Sequence, residues 1–229
     1  AHGASRIGAR PDDANEKHTA LSKFSHKQHG LIPIRTDIND VWGIKPRNKE
    51  QAIAIDLLLD DNVQLVTLVG KAGTGKTLLA LAAGLKKTVD EHSFKRILVS
   101  RPVIPMGRDI GYLPGTKEEK LINWMQPIYD NLEYVLTIRK RKEHIEDLID
   151  SDFIQLEALT YMRGRSIPSQ FIIIDEAQNL TPHEIKTVIT RAGNHTKMVL
   201  TGDPFQIDNP YLDSSSNGLS YAVERMKGQ

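Results

Sequence analysis

Residues 70–77 read Gly-Lys-Ala-Gly-Thr-Gly-Lys-Thr, which fits the pattern G-x-x-x-x-G-K-[ST] of a phosphate-binding loop. The glycines allow consecutive backbone N–H groups to curl around an anionic phosphate without Cβ clashes. We expect Lys76 to place its charge on the outer phosphates and the Thr77 hydroxyl to ligate Mg²⁺. A chance match is expected in about one chain in a hundred of this length, so the segment predicts a nucleotide site. Its predicted members are Gly70, Lys71, Ala72, Gly73, Thr74, Gly75, Lys76 and Thr77.

Both flanks of this loop have the composition that such a site needs. Leu65–Val69 is a short apolar and β-branched run, which predicts a strand that ends at the loop. Leu78–Ala83 consists of strong helix formers. A helix that begins here directs its free N–H groups and the positive end of its dipole toward a bound anion. The sequence therefore predicts a strand, a phosphate loop and a helix in that order.

A second apolar run, Phe171–Ile174, ends in two carboxylates, Asp175 and Glu176. Ligands of open α/β sheets bind at the carboxyl ends of the strands, so we expect both side chains to lie beside the phosphate loop. We predict that Asp175 holds Mg²⁺, directly or through water, and that Glu176 orients or deprotonates an attacking water. A solvated acidic turn is the alternative, but the phosphate loop favours the catalytic interpretation. Glu176 also favours hydrolysis over phosphoryl transfer to a small molecule.

The overall composition sets limits on the class of protein. The chain has 229 residues, with 30 Lys and Arg against 29 Asp and Glu, and it has no cysteine. Because the charge is nearly balanced, any surface that binds nucleic acid must be local. The lack of cysteine excludes a disulfide framework and thiolate chemistry. No apolar run approaches the ~20 residues of a membrane span, and the N-terminus has no signal-peptide core, so we expect a cytoplasmic protein.

The distribution of apolar residues predicts a flexible tail or linker over residues 1–30 and one folded domain over residues 31–229. Within that domain, short apolar runs alternate with helical patterns. This predicts an α/β fold with a parallel sheet and helices on both faces. Pro127 is expected to interrupt a helix over Lys117–Leu136. The other predicted helices are Lys49–Leu59, Leu78 to about Val89, Arg139–Ile149 and Thr181–Arg191, and the other predicted strands are Ile97–Val99, Phe153–Leu159 and Met198–Leu200.

The last predicted strand leads into a further motif, Gly-Asp-Pro-Phe-Gln at residues 202–206. Gly-Asp-x-x-Gln downstream of Asp-Glu-Ala-Gln resembles motif III of superfamily 1 helicases, and this resemblance implies that Gln206 senses the γ-phosphate. Gln51 precedes Lys76 at the spacing where the same group keeps an adenine-reading glutamine. Because an amide can bond both adenine N6 and N7, Gln51 would favour ATP over GTP. An exposed helical glutamine is the alternative interpretation.

Several segments together resemble one family more closely. They are Gly-Tyr-Leu-Pro-Gly at residues 111–115 with Lys120 and a following Pro-Ile-Tyr-Asp, Tyr-Met-Arg-Gly-Arg at 161–165, and Asp-Glu-Ala-Gln-Asn at 175–179. This combination resembles the PhoH family of phosphate-starvation-inducible ATPases, from about Gly30 to the end of the chain. The resemblance implies a single RecA-like P-loop NTPase domain with ATP and Mg²⁺ as cofactors. Trp42–Asn48 is similar to members in which this module follows a PIN-type ribonuclease domain, so residues 1–30 would be the remnant of a linker.

The resemblance to helicases raises the question of which cation assists hydrolysis. A two-domain helicase places a second RecA-like domain across the ATP, and that domain contributes arginines; the residues after Gln206 are too few for one. We therefore expect the cation to come from within the domain or from a neighbouring subunit in a hexameric ring like that of relatives. A trans arginine contributes ~10³–10⁵ in rate. The candidates are Arg101, Arg163, Arg165 and Arg191.

Three segments are candidate contacts for a polynucleotide. Ser100–Pro102 resembles motif Ia, which contacts the nucleic-acid backbone in superfamily 1. Arg163 and Arg165 could grip phosphates while Tyr161 stacks on a base. Alternatively, these arginines bind ATP or pair with acidic residues at a subunit boundary. Acidic residues follow the basic run at residues 139–142, which favours a solvated helix over an RNA contact.

Taken together, these residues predict an ATPase, and the resemblance implies that it acts on single-stranded RNA. Lys76 and the loop amides would hold the phosphates, Thr77 and Asp175 the metal, and Glu176 the water, while Gln206 would report the γ-phosphate state. The resemblance also implies that the ATPase serves an attached nuclease domain. Two rival functions stay open. A small-molecule phosphotransferase would consume ATP only with its acceptor, and a nucleotide-controlled ring-forming scaffold would assemble with ATP and barely turn over.

Overall fold

A computed structural model describes residues 4–7, 20–25, 29–34, 40–103, 117–139, 144–162, 164 and 166–226. It contains two sheets. The larger sheet has five strands, all parallel, in the spatial order β4-β8-β7-β5-β6. Its strands are β4 (Leu65–Val69), β5 (Arg96–Arg101), β6 (Ile154–Ala158), β7 (Gln170–Ile174) and β8 (Lys197–Gly202). The helices are α1 (Lys49–Leu59), α2 (Lys76–Leu85), α3 (Lys117–Ile138), α4 (Ile145–Asp150), α5 (Pro182–Ile189) and α6 (Gly218–Met226).

The helices cover both faces of this sheet, as predicted. Along β7, Phe171 and Ile173 pack in one hydrophobic cluster with residues of α1, α2 and α3. Ile172 and Ile174 point the other way and pack with residues of α5 and α6. All four side chains are fully buried, which explains why β7 is apolar at every position. The α/β fold with helices on both faces of a parallel sheet, in a single domain, is thereby confirmed.

The second sheet lies before the parallel one in the chain. Its antiparallel strands are β1 (Ala4–Ile7), β2 (Ala20–Ser25) and β3 (Gly30–Pro33). β1 and β2 fall in the segment that the sequence predicted as a tail, although the boundary at residue 30 itself stays a prediction. Lys23 of β2 pairs with Asp56 of α1 and with Asp60, the C-cap residue of that helix, each at 2.8 Å. Ion pairs therefore connect β2 to the domain that carries the phosphate loop.

Helix α3 is continuous, so the predicted interruption at Pro127 is wrong. A proline inside a helix removes one hydrogen bond and costs about 3 kcal/mol. The same helix buries five apolar side chains against the sheet, at about 1.5–3 kcal/mol each, which outweighs that cost. These side chains are Met125, Ile128, Leu132, Val135 and Leu136. Asn131 Nδ2 also donates to the Pro127 carbonyl oxygen at 2.6 Å.

Other helix predictions differ from the structure at their ends. The helix expected over Arg139–Ile149 is described only as α4, which begins after the N-cap His144. Helix α5 begins at Pro182 because Thr181 and Glu184 form a capping box, in which each side chain bonds to the backbone of the other residue. Helix α6 was not predicted. No helix among the described ranges is long and apolar enough to span a bilayer.

Candidate active site

The order of the parallel strands brings three loops together at one edge of the sheet. The phosphate loop follows β4, the two carboxylates follow β7, and Asp203 follows β8, which lies between β4 and β7. The Gly70 N–H donates to the Gly202 carbonyl oxygen at 3.2 Å, so the β4–β8 pairing continues into the loop. A cavity of about 720 Å³ opens at this edge. Nine predicted site residues line it, namely Gln51, Ala72, Gly73, Gly75, Lys76, Thr77, Asp175, Glu176 and Gln206.

The phosphate loop has the backbone that its glycines predict. Gly73 and Gly75 have φ angles of +75° and +83°, which residues other than glycine rarely adopt. A Cβ at Gly73 would have no neighbour within 4 Å, so the loop is open where an anion would lie. Lys76 Nζ donates to the carbonyl oxygens of Gly70 and Lys71 at 2.7 and 2.8 Å. This cradle, at the N-terminus of α2, fits a nucleotide's phosphates.

The predicted metal ligands lie in contact with each other. The hydroxyls of Thr77 and Thr201 both donate to Asp175 Oδ1, at 2.7 and 2.6 Å. Asp175 and Thr201 are buried, which fixes this carboxylate in one orientation. One hydroxyl and one carboxylate fit Mg²⁺, which uses few protein ligands and takes the rest from phosphates and water. Within the described ranges, no group of three or more His, Asp and Glu side chains forms an alternative metal site.

The Glu176 side chain points toward the cavity and is 40% exposed. Its backbone has a φ of +55°, an unusual value for this residue type, directly after the buried strand β7. Gln178 Nε2 donates to Glu176 Oε2 at 2.6 Å, and Arg101 Nη2 lies 3.7 Å from Glu176 Oε1. Both carboxylate oxygens therefore have a partner, and the side chain is held at the mouth of the phosphate loop.

Asp203 connects the phosphate loop to the motif that ends in Gln206. The Ala72 N–H donates to Asp203 Oδ2 at 3.2 Å, and the Phe205 N–H donates to Asp203 Oδ1 at 3.0 Å. The Gln206 N–H donates to the Asp203 carbonyl oxygen at 3.0 Å. No prediction from the sequence gives a role to Asp203, Gln178 or Thr201. The Gly-Asp-x-x-Gln and Asp-Glu-Ala-Gln patterns pointed to the first two, whereas nothing local marked Thr201.

Gln51 lies at the cavity, but its amide is engaged by the protein. The Arg47 N–H donates to Gln51 Oε1 at 2.8 Å, and Gln51 Nε2 donates to the Thr74 carbonyl oxygen at 3.1 Å. Asn48 caps α1 by accepting from the Gln51 N–H. Gln51 thus ties the start of α1 to the phosphate loop. Adenine reading by this residue stays a prediction, and a positioning role is an alternative to it.

The far end of the cavity is lined by residues that the sequence analysis missed. Asn131, Tyr134 and Ile138 of α3 line the cavity together with the segment Gly43–Arg47. The spacing of these α3 residues places them on one side of the helix, beside its buried stripe. Tyr134 is 46% exposed, so an aromatic face borders the cavity. Such a wall fits a nucleotide base, although no sequence pattern linked α3 to the phosphate loop.

The candidate arginines have different environments. Arg101 Nε lies 3.3 Å from Asp175 Oδ2, and Arg101 Nη1 donates to the Trp124 carbonyl oxygen at 2.9 Å. Its guanidinium also lies 5.4 Å from the centre of the Trp124 ring. Arg191 lines a separate small cavity beside α5. Arg163, Arg165 and the Tyr161 side chain lie outside the described residues, as does the segment at residues 111–115.

The basic run at residues 139–142 is described only at its first residue. The Arg139 guanidinium lies 4.5 Å from the centre of the Trp42 ring, and Arg139 Nη1 pairs with Asp90 Oδ2 at 2.8 Å. Trp42 Nε1 donates to the same carboxylate oxygen at 3.0 Å. Arg139 is therefore part of a packed contact between the end of α3 and the segment that follows α2.

Comparisons with known proteins identify relatives of this chain. The chain resembles protein PhoH2 of Bacillus subtilis, with 62% identity over 84% of this chain and 44% of the relative. It is 40% identical to protein PhoH2 of Thermobispora bispora, over 92% of this chain and 49% of the relative. The chain thus spans about half the length of the curated relatives that it matches. A solved structure, the SWI2/SNF2 ATPase core of Sulfolobus solfataricus in complex with dsDNA, aligns with a TM-score of 0.44 and 18% identity, over 81% of this chain and 40% of that one.

The family comparison covers most of the described domain. Residues 43–229 match the family model described as PhoH-like protein. This range contains the phosphate loop, both carboxylates and the Gly-Asp-x-x-Gln motif. With the parallel sheet and the open phosphate cradle, the match identifies a nucleotide-binding P-loop ATPase domain. The chain belongs to the PhoH family.

Proposed function

We propose that this domain binds ATP with Mg²⁺ and hydrolyses it. The observation that carries the proposal is the contact of Thr77 with Asp175 at 2.7 Å, beside Glu176 and the phosphate loop. A metal-binding hydroxyl, a metal-binding carboxylate and a second carboxylate that faces the cavity are the groups that hydrolysis of a nucleoside triphosphate requires.

Each residue then has a separate role in hydrolysis. Lys76 and the loop amides bind the phosphates, and Thr77 and Asp175 hold Mg²⁺, which neutralises charge on the phosphate oxygens when bound. Glu176 accepts a proton from the attacking water. Arg101 lies within the domain at the same carboxylates, so a cation from a second domain is not the only source of positive charge. The exposed Tyr134 ring that borders the cavity would contact the nucleotide base.

The proposed polymer substrate is single-stranded RNA. The support for it is the resemblance of Ser100–Pro102 and of residues 202–206 to helicase motifs. Arg101 is turned toward the carboxylates and Trp124, so a phosphate contact by motif Ia would need a different arrangement of this side chain. We also propose a hexameric ring and, in the parent protein, a PIN-type nuclease that the motor serves. Both proposals rest on the family resemblance.

Steady-state phosphate release with and without a single-stranded RNA oligonucleotide tests the proposal. Lys76→Ala and Glu176→Gln should abolish release, whereas Lys186→Ala, an exposed lysine on α5, should have no effect. Release that RNA stimulates supports a motor on RNA. Release that is indifferent to RNA overturns the choice of substrate. ATP binding without release overturns hydrolysis in favour of an assembly switch, and full activity from a monomer, measured by light scattering, overturns the ring.

A further inference from the structure

Gln178 lies between the water-activating carboxylate and the loop that ends in Gln206. It is fully buried, and its side-chain amide makes three hydrogen bonds. Nε2 donates to Glu176 Oε2 at 2.6 Å and to the Gln206 carbonyl oxygen at 2.8 Å. Oε1 accepts from the Asp203 N–H at 3.2 Å. Every hydrogen-bonding group of the amide that faces these residues is therefore used.

These partners leave the amide one orientation. Two of them, a carboxylate and a carbonyl, only accept, and the third, an N–H, only donates. A flipped amide would face oxygen against oxygen at Glu176 and at Gln206. The backbone of Gly202 packs against Oε1 so closely that a Cβ there would lie under 3.0 Å from it. The amide cannot move without a movement of the 202–206 loop or of Glu176.

The neighbouring residue Asn179 fixes the same helical turn to the next part of the loop. Asn179 Oδ1 accepts from the Asp208 N–H at 2.8 Å, and Asn179 is buried. Asp203 in turn binds the Ala72 N–H of the phosphate loop. One hydrogen-bonded chain thus runs from the phosphate loop through Asp203 and Gln178 to Glu176.

We propose that Gln178 is a positioning residue that makes the orientation of Glu176 depend on the position of the 202–206 loop. The inference rests on the proposed function, because it assigns Gln178 a part in the same hydrolysis. A shift of Gln206 toward the γ-phosphate moves its carbonyl, which is bonded to Gln178, and the amide transmits this shift to the Glu176 carboxylate. Hydrolysis is in this way coupled to occupancy of the triphosphate end of the site.

The first test is the effect of Gln178→Met, which keeps the side-chain length and removes all three hydrogen bonds. We expect kcat to fall about 10–100-fold, part of the ~10²–10⁴ that a positioned base contributes, while KM for ATP changes less than about threefold. Adding Gln206→Ala should cause little further loss, because both residues act along one path. Thr196→Val is the matched control. It removes a buried hydrogen bond to the Ile167 carbonyl oxygen, and it lies just before β8, at the opposite end of this strand from the site.

A second readout follows the loop itself. Phe205 is 83% exposed on this loop, so Phe205→Trp reports its environment by fluorescence, corrected for Trp42 and Trp124. We expect Glu176→Gln to change the ATP-dependent signal when Gln178 is present and to leave it unchanged in Gln178→Met. This readout does not require turnover, so Gln178→Glu, which keeps an acceptor for Asp203, can replace Gln178→Met if that variant does not fold.

The outcomes separate this inference from the proposed function. Wild-type protein that releases no phosphate overturns the function. If the wild type is active, three results overturn the inference alone. They are an unchanged kcat in Gln178→Met, a loss of kcat no larger than that of Thr196→Val, and multiplicative effects of Gln178→Met and Gln206→Ala on kcat. A Glu176→Gln effect on loop fluorescence that persists without Gln178 also overturns it.

Discussion

Replacing Gly202 by alanine should destabilise the folded domain, because the end of β8 has no room for a methyl group. A Cβ there would lie under 3.0 Å from Gln178 Oε1 and 2.9 Å from Leu219 Cδ2. The φ of Gly202 is not left-handed, so an alanine is opposed only by these contacts. The Leu219 side chain is fully buried, and the Gln178 amide is held by its three hydrogen bonds, so neither group can easily make room.

The size of the effect follows from these contacts. Overpacking in a filled core costs about 1–3 kcal/mol, and each hydrogen bond that the displaced amide loses costs about 1 kcal/mol. We therefore expect Gly202→Ala to lower the free energy of unfolding by about 2–5 kcal/mol, which is a fall in Tm of about 5–15 °C for a domain of this size. The domain should stay folded at 25 °C, since domains have about 5–15 kcal/mol of stability.

Urea denaturation followed by circular dichroism, without nucleotide, measures this effect. The decisive comparison is the double variant Gly202→Ala, Gln178→Ala, because removing the amide makes room for the methyl group. We expect the alanine at 202 to cost about 1–3 kcal/mol less in that background than in the wild type, which is a coupling energy typical of residues in contact. The reasoning would be refuted if the stability losses of the two single variants added up to that of the double variant to within about 0.5 kcal/mol. It would also be refuted if the Gly202→Ala protein were as stable as wild type.

Three more predictions concern other parts of the domain. Burial raises the pKa of Asp60, but the hydrogen bonds from Lys23 and Asn62, together with the charge of Lys23, outweigh it and lower this pKa from 3.8 to about 2. This stabilisation is present above pH 3.8 and is lost as the pH falls toward 2. Asp60→Asn should therefore reduce the fall in the free energy of unfolding over this pH range. An unchanged pH dependence would argue against the ion pair of Lys23 with Asp60. Thr201→Val should raise the Mg²⁺ concentration for half-maximal hydrolysis about 10–100-fold, as loss of an outer partner of a metal ligand does, and an unchanged Mg²⁺ titration would contradict the contact with Asp175. Tyr134→Ala should raise KM for ATP about 2–12-fold, from ~0.5–1.5 kcal/mol of aromatic contact, with kcat retained. An unchanged KM would contradict a contact between Tyr134 and the nucleotide base.

Much of the site could be predicted because its signals are local. The phosphate loop needs glycines at fixed spacings, and these require no knowledge of the rest of the fold. The carboxylates could be placed beside it because parallel strands end at a common edge. The apolar character of Phe171–Ile174 on both faces similarly predicted helices on both sides of the sheet.

The remaining features depend on contacts between distant segments. β8 lies between β4 and β7, and only this order brings Thr201 against Asp175 and Asp203 against Ala72. The turn of Arg101 toward the carboxylates depends on Trp124 of α3, a helix that local patterns did not link to the site. Pro127 was misjudged for a similar reason, since its local cost is outweighed by packing against the sheet.

The most direct test of the account is single-turnover hydrolysis of ATP by Glu176→Gln and wild-type protein, combined with equilibrium ATP binding. The account predicts that both proteins bind ATP with Mg²⁺ to within about threefold in affinity, and that the variant hydrolyses it at least ~100-fold more slowly, since a positioned base contributes ~10²–10⁴ in rate. Hydrolysis at the same rate in the variant, with ATP bound equally well, would contradict the assignment of Glu176 and of the water that it activates.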